Sequence, residues 1–212
     1  MPTVATAFTC VMCAFALLAH ERERHAAYAV LKVLASAGFV AVALSSGVPH
    51  DTWRIALAAG LSVALAGDAL LAVRRRWAFP AGMAAFLVVH ILYLAGFVVR
   101  GVDPVSLAIA FAVMATAAGR VWRRGSERIP ERLRPALAVY MSVLVLDMAA
   151  GVSAAMLRPG LALAVGILLM GLSDIAVLRD RFIAPGIANK LVGLPMYYAG
   201  QLLLAWAVIG AA

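Results

Sequence analysis

The chain has 212 residues, of which 65% are hydrophobic, and its mean hydropathy is +0.99. Because soluble domains are closer to half apolar, this composition excludes an ordinary soluble globular protein. The net charge of +8 comes from 18 basic and 10 acidic residues, and nearly all basic residues lie in short loops between apolar segments. Since no aromatic residues form a platform with these loops, we expect membrane lipids as partners and no nucleic acid.

Eight apolar stretches follow one another along the chain, and each is close to the length needed to cross a bilayer as a helix. The predicted helices span residues 3–19, 27–46, 53–73, 79–99, 104–122, 135–156, 160–178 and 189–210. Short segments with proline, glycine or charge separate them and leave no room for a soluble domain. The sequence therefore predicts an all-α, polytopic membrane bundle of eight transmembrane helices, with residues 1–212 in a single transmembrane domain.

Lysine and arginine are distributed unevenly between the two sets of loops. Loops that follow odd-numbered helices hold 14 of the 18 basic residues, whereas loops that follow even-numbered helices hold Arg54, Arg100 and Arg158. Because basic loops stay on the cytoplasmic side, both termini are predicted to lie outside, in a multi-pass protein of the bacterial inner membrane. The apolar segment 4–19 has no basic residues before it, so we expect a retained first helix rather than a signal peptide.

Three aspartates, Asp68, Asp147 and Asp174, interrupt the predicted helices. Ionisable residues inside a membrane are costly and usually functional. From the predicted topology, six polar residues from five helices share the cytoplasmic third of the bilayer: Lys32, Asp68, Tyr140, Asp174, Asn189 and Lys190. Such a shared depth predicts a polar cavity that opens towards the inner leaflet.

Helical spacing places further residues on common faces. The predicted stripes are Gly82, Phe86, His90 and Tyr93 on the fourth helix, Tyr140, Leu144, Asp147 and Gly151 on the sixth, and Lys190, Leu194, Tyr197 and Gln201 on the eighth. A purely structural alternative is open, in which Asp68 and Asp174 pair with Lys32 and Lys190 to join helices. His90 would either face a ligand or form a hydrogen bond to another helix. The tyrosines also fit packing roles. The sequence identifies no partner for Asp147.

Two segments, GDALLAVRRRWAFPAG and SDIAVLRDRFIAPG, resemble each other and place Asp68 and Asp174 half a chain apart. This likeness suggests that helices 1–4 and 5–8 are parallel repeats. Chance similarity between apolar sequences is the alternative.

Two buried carboxylates at one depth suit acid–base catalysis, because one can hold a proton while the other stays ionised. Carboxylate pairs of this kind hydrolyse glycosides through an oxocarbenium-like transition state. The sequence has neither the G-x-S-x-G motif of serine esterases nor the H-E-x-x-H motif of zinc proteases. The Cys10–Cys13 pair lies in an apolar helix and favours core packing over redox chemistry. We therefore assign Asp68 and Asp174 as catalytic candidates, with no metal and no cofactor.

The order and spacing of several segments resemble the YhhN family of lysoplasmalogenase-like membrane proteins over essentially the whole chain. The matching pieces are Lys32, GDALL, FPAGMAAFLVVHILY, Tyr140, GLSDIAVLRDRF and YYAGQ. Two positions depart from the family pattern. Val33 stands where proline usually follows the lysine, and Asp147 stands where an apolar residue is expected, so the resemblance gives Asp147 no role.

The resemblance implies hydrolysis of the vinyl-ether bond of lysoplasmalogens to a fatty aldehyde and glycerophosphoethanolamine or glycerophosphocholine. Asp68 or Asp174 would supply the proton, and Lys32 or Lys190 would hold the headgroup phosphate. The other substrate-binding candidates are His90, Tyr93, Tyr140, Ser173, Asn189, Tyr197 and Gln201. A different ether or ester lipid is an alternative substrate.

Two other functional classes fit the same residues. A lipid or small-molecule transporter or flippase also uses polar residues near the midplane, although only Pro195 interrupts a predicted helix here. A lipid-binding scaffold without turnover is the third interpretation, and it would tolerate replacement of Asp68 and Asp174 by asparagine.

Overall fold

The structure is a computed structural model that describes residues 1–47, 49–73, 75–158 and 160–210. Its eight α-helices are α1 (Pro2–Glu21), α2 (His25–Ala43), α3 (Thr52–Ala72), α4 (Ala78–Arg100), α5 (Pro104–Gly125), α6 (Arg134–Leu157), α7 (Leu161–Leu178) and α8 (Ile187–Val208). All eight are long and apolar enough to cross a membrane, and the described residues contain no strand. The predicted all-α, eight-helix fold class is thus confirmed. The side on which the termini lie stays a prediction, and Arg74 of the basic loop lies outside the described residues.

Most helix ends lie within two residues of the predicted ends, and three differences are informative. The second helix stops at Ala43, three residues early, and the chain turns before Gly47, whose φ of 91° suits glycine. The fifth helix runs on to Gly125, because nothing in its basic last turn breaks a helix. The seventh continues from Leu178 into a π-helical turn, Arg179–Ile183, and such turns often lie at functional sites.

Consecutive helices pack as four pairs, α1 with α2, α3 with α4, α5 with α6 and α7 with α8. The contacts that join the first four helices to the last four include α4 with α6 and α2 with α8. If each helix is replaced by its counterpart in the other half, so that α2 corresponds to α6 and α4 to α8, the α4–α6 contact becomes the α8–α2 contact. A parallel duplication requires this correspondence. The match is incomplete, because α1 and α3 also pack on α8, whereas α5 and α7 make at most marginal contact with α4.

Close packing of α3 on α4 gives the bundle its most extensive helix pair. A Cβ atom at Gly60 would lie 2.3 Å from the Tyr93 ring, and one at Gly67 would lie 3.0 Å from the Phe86 ring. The small residues of α3 therefore let aromatic side chains of α4 sit against its backbone. This packing encloses Asp68, which follows Gly67, in protein rather than in lipid.

Candidate active site

A cavity of about 310 Å³ lies between α2, α3, α4, α6, α7 and α8. Its mouth, which we define by Tyr28, Phe79, Arg181 and Lys190, is formed by the first turns of α2, α4 and α8 and by the π-helical turn. Eight of the eleven candidate site residues line it: Lys32, Asp68, Tyr140, Ser173, Asp174, Asn189, Lys190 and Tyr197. His90, Tyr93 and Gln201 do not.

Asp68 is held by three donors and is only 1% exposed. Lys32 Nζ lies 2.7 Å from its Oδ1 atom. Ser36 Oγ donates to Oδ2 at 2.6 Å, and the Tyr197 hydroxyl donates to the same oxygen. A buried carboxylate with a cation and two hydroxyl donors is stabilised in its ionised form. We therefore describe Asp68 and Lys32 as a buried ion pair.

Asp174 has a different environment and keeps one oxygen free. The His90 Nε2 atom lies 2.8 Å from Oδ2, and the Tyr140 hydroxyl donates to Oδ2 at 2.9 Å. Among the residues that the structure describes, no donor contacts Oδ1, and the side chain is 13% exposed. Since Asp174 lines the cavity, Oδ1 is the oxygen available to a bound molecule.

His90 lies behind Asp174 and connects it to Asp147. Its Nδ1 atom is 2.8 Å from Asp147 Oδ2, and the side chains of His90 and Asp147 are fully buried. Of the two roles that the sequence leaves open for His90, facing a ligand or bonding another helix, the structure shows the second, because both ring nitrogens contact carboxylates of other helices and His90 does not line the cavity. The sequence analysis missed the His90–Asp147 contact, since the residues lie 57 positions apart on different helices.

Lysine pairing differs between the two aspartates. The predicted pairing of Asp68 with Lys32 is confirmed. In contrast, Lys190 lies 2.7 Å from Asp180 in the π-helical turn, and Asp174 bonds His90 instead. Lys190 belongs to the first turn of α8 at the mouth, where the turn that follows α7 brings Asp180 to it.

Tyr93 and Gln201 form a contact of their own, away from the cavity. The Tyr93 hydroxyl donates to Gln201 Oε1 at 2.7 Å, and both side chains are fully buried. Both are substrate-binding candidates in the sequence, which also leaves a packing role open for Tyr93. Their stripes on α4 and α8 continue past the cavity, and the hydrogen bond between the two side chains joins α4 to α8.

The mouth contains two functional candidates that the sequence analysis did not identify, Asp180 and Arg181. The Arg181 guanidinium lies over the Phe79 ring, 4.5 Å from its centre, and Phe79 also meets the Phe182 ring edge-on at 6.0 Å. Within the described part of the chain, Arg181 makes no ion pair. Its position before Phe182, inside the GLSDIAVLRDRF segment, was the available signal.

Asn189 acts on the mouth through the π-helical turn. Its side chain accepts a hydrogen bond from Arg179 at 2.6 Å and donates one to the Ala184 carbonyl at 2.7 Å. A weaker contact of 3.3 Å joins it to Asp180. Although Asn189 lines the cavity, these bonds hold the turn in place.

The two cavity aspartates are held in related ways. Asp68 on α3 receives bonds from α2 through Lys32 and from α8 through Tyr197. Asp174 on α7 receives bonds from α6 through Tyr140 and from α4 through His90. Mapping helices 1–4 onto 5–8 converts one set of donors into the other, which agrees with the suggested duplication. The site thus has one architecture with two chemistries, an ammonium beside Asp68 and an imidazole beside Asp174.

Among the described residues, no group of three or more histidine, cysteine, aspartate or glutamate side chains is placed to hold a metal ion. Cys10 is exposed and Cys13 is buried, and both are free thiols.

Comparison with known proteins identifies the family. The YhhN family model matches residues 27–208, which is most of the chain, and the chain therefore belongs to the YhhN family. This family is associated with lysoplasmalogenase activity. No curated protein and no solved structure matches the chain.

Proposed function

From this family membership and the two cavity aspartates, we propose that the protein is a membrane hydrolase that cleaves the vinyl-ether bond of lysoplasmalogens. The products are a fatty aldehyde and glycerophosphoethanolamine or glycerophosphocholine. One observation carries the proposal: two carboxylates line the same cavity, one paired with a lysine and one with an oxygen free. Such a pair separates the ionised from the protonated role that vinyl-ether hydrolysis requires.

Asp174 is the acid in this scheme. Asp174 lines the cavity and its Oδ1 atom has no donor among the described residues, so a proton on Oδ1 is available to a bound substrate. Asp68 is the ionised partner, because Lys32 at 2.7 Å and two hydroxyl donors stabilise its negative charge. General acid catalysis of this kind contributes about 10²- to 10⁴-fold to a rate.

The reaction begins with transfer of the Asp174 proton to the vinyl-ether carbon that is not bonded to oxygen. A carbon–hydrogen bond forms and the double-bond electrons move to give an oxocarbenium ion, which the Asp68 carboxylate stabilises electrostatically. Water adds to the cationic carbon and returns its proton to Asp174. The resulting hemiacetal then breaks its bond to the glycerol oxygen, and the proton of the hemiacetal hydroxyl passes to that oxygen, so that the aldehyde and the glycerol hydroxyl are released. One water is consumed and Asp174 is regenerated.

The residues that line the cavity include apolar side chains for the hydrocarbon chain of a lysophospholipid and a cation for its headgroup phosphate. Phe86, Met83, Leu137 and Leu194 offer apolar surface to the chain beside the reacting carbons. At about 310 Å³ the cavity is at the small end of ligand pockets, so most of the chain would extend beyond it. Arg181 is our candidate for the headgroup phosphate, because Lys32 and Lys190 already have carboxylate partners.

The helices and the basic residues in the loops support a location in the bacterial inner membrane. The eight spans make this a multi-pass membrane protein. Basic residues concentrate in loops at the same end as the mouth, which by the positive-inside rule is the cytoplasmic end. We therefore propose that the protein lies in the bacterial inner membrane and takes its lipid from the inner leaflet.

The proposal is tested by mass spectrometry of products from lysoplasmenyl-ethanolamine, with the purified protein in detergent. We expect aldehyde from the wild type, and a loss of about 100-fold or more in Asp174→Asn and in Asp68→Asn. Asp51→Asn is the matched control, because Asp51 is exposed at the start of α3. A folded wild type that binds the lipid without releasing aldehyde would refute the proposal, and lipid movement between leaflets without aldehyde would favour transport.

A further inference from the structure

We propose that Asp147 is a positioning residue, which keeps the proton of Asp174 on the oxygen that faces the cavity by neutralising His90. This inference rests on the proposed function, in which Asp174 is the acid. It gives a role to a buried aspartate that neither the family resemblance nor the mechanism above uses.

Three side chains carry the argument. His90 lies between Asp147 and Asp174, with a distance of 2.8 Å from each ring nitrogen to a carboxylate oxygen. A neutral imidazole has one N–H donor and one acceptor nitrogen, whereas an imidazolium has two donors. Two carboxylates on opposite sides of one ring are therefore best satisfied by an imidazolium. Asp147 and His90 are both 0% exposed, so water does not screen their charges.

The charge balance then decides where the proton of Asp174 lies. A positive His90 and a negative Asp147 form a neutral pair, and a buried site is most stable without net charge. One further proton can then be held by the two carboxylates, and it belongs to Asp174, because an O–H on Asp147 Oδ1 would be a buried donor with no acceptor among the described residues. Because His90 Nε2 and the Tyr140 hydroxyl both donate to Oδ2, the proton belongs on Oδ1, the oxygen of this cavity-lining residue that no described side chain contacts.

Removing the charge of Asp147 reverses this balance. His90 and Asp174 then share one proton and are neutral as a pair wherever it lies, and the two donors to Asp174 Oδ2 favour its place on His90. A positive His90 beside a negative Asp174 repeats the Lys32–Asp68 ion pair on the other side of the cavity. The transferable proton would then lie between His90 and Oδ2, where substrate does not reach it. Asp147 thus makes the two cavity aspartates chemically different, although their donors come from corresponding helices.

Asp147 also lowers the stability of the fold. Its Oδ1 atom is buried and has no hydrogen-bond partner among the described residues. An unsatisfied buried carboxylate oxygen destabilises the fold, whereas an apolar side chain would not. A role in the reaction explains why an aspartate occupies this position in α6.

The first test compares kcat and KM of Asp147→Asn with those of the double variant Asp147→Asn/His90→Gln. We expect Asp147→Asn to lower kcat by about 10- to 100-fold with little change in KM, since substrate does not touch Asp147. The double variant has no buried imidazole to compete for the proton, and the glutamine amide can still donate to Oδ2. Its kcat should exceed that of Asp147→Asn by at least about threefold.

A second readout does not depend on turnover. Infrared difference spectra detect protonated carboxyl groups, and the band that Asp174→Asn removes belongs to Asp174. This band should be present in the wild type, lost in Asp147→Asn and regained in the double variant. If Asp147→Asn keeps the band, the inference is overturned even when the wild type is active; if the wild type makes no aldehyde but the band behaves as expected, only the proposed reaction fails.

Thr9→Val is the structural control, because it removes a fully buried hydroxyl that bonds the Ala35 carbonyl on α2, away from the cavity. It should leave kcat and the infrared band unchanged. A double variant with lower activity than Asp147→Asn, in a protein that still elutes as a folded monodisperse species, would show that Asp147 and His90 act only in packing.

Discussion

Replacing Lys32 by methionine removes the cation from the most buried ion pair in the cavity. Lys32 and Asp68 are 8% and 1% exposed, and their charged atoms are 2.7 Å apart. At an effective dielectric constant of 20, Coulomb's law gives about 6 kcal/mol for this distance, which is an upper limit. Breaking a buried pair by removing one partner typically costs about 3–5 kcal/mol.

Two contacts reduce the loss below that upper limit. Ser36 and Tyr197 still donate to Asp68 after the substitution, and hydrogen bonds to charged groups contribute about 1.5–3 kcal/mol each. We therefore expect Lys32→Met to lower the free energy of unfolding by about 3–5 kcal/mol. The double variant Lys32→Met/Asp68→Asn should lose less than the single variant, because no unpaired charge is left in the bundle.

Unfolding of the purified variants in mixed detergent micelles, followed by tryptophan fluorescence, measures these differences. Asp51→Asn again serves as the control, since its charge is exposed and paired only weakly with Arg54 at 3.3 Å. If Lys32→Met lowers the free energy of unfolding by less than about 1 kcal/mol, the pair contributes no more than an exposed salt bridge does, and the argument from burial is refuted. A double variant less stable than the single one would likewise contradict it.

Further predictions concern the mouth, the helix packing and the topology. Arg181→Gln should raise KM about tenfold with kcat nearly unchanged, because Arg181 is proposed to bind the headgroup and not the reacting atoms; a fall in kcat alone would contradict this. Gly60→Ala should destabilise the bundle by about 1–3 kcal/mol, since its Cβ would lie 2.3 Å from the Tyr93 ring, whereas Gly119→Ala, with nothing within 4 Å, should be neutral or stabilising in the same unfolding assay. Reporter fusions should place both termini outside the cytoplasm, and a cytoplasmic terminus would show that the cavity opens to the other side.

Much of the cavity could be predicted from depth alone. Lys32, Asp68 and Asp174 lie at similar distances from the ends of their helices, and a helix advances by a constant rise per residue. Depth in the bilayer therefore follows from residue number once the spans are known. The same reasoning could not exclude Tyr93 and Gln201, because residues on one helical stripe share a face but continue past the end of the cavity.

The sequence could not predict which side chains form hydrogen bonds or ion pairs with each other. His90 bonds Asp147 and Asp174 across 57 and 84 residues, and Tyr197 bonds Asp68 across 129. Such contacts depend on how each helix is rotated about its axis and on which helices are neighbours. Lys190 shows the consequence, since its nearest carboxylate belongs to Asp180 of the π-helical turn rather than to Asp174.

The sequence by itself determined that the chain forms eight membrane-spanning helices, because an apolar segment in lipid must satisfy its backbone hydrogen bonds internally. It also determined which helices carry ionisable groups and near which end these groups lie. Only the tertiary structure decided that Asp68 receives an ammonium and Asp174 an imidazole that is shared with Asp147. The reason is physical: apolar periodicity sets where a helix begins and ends, whereas the charge state of a buried carboxylate depends on donors that other helices bring to within 3 Å of it.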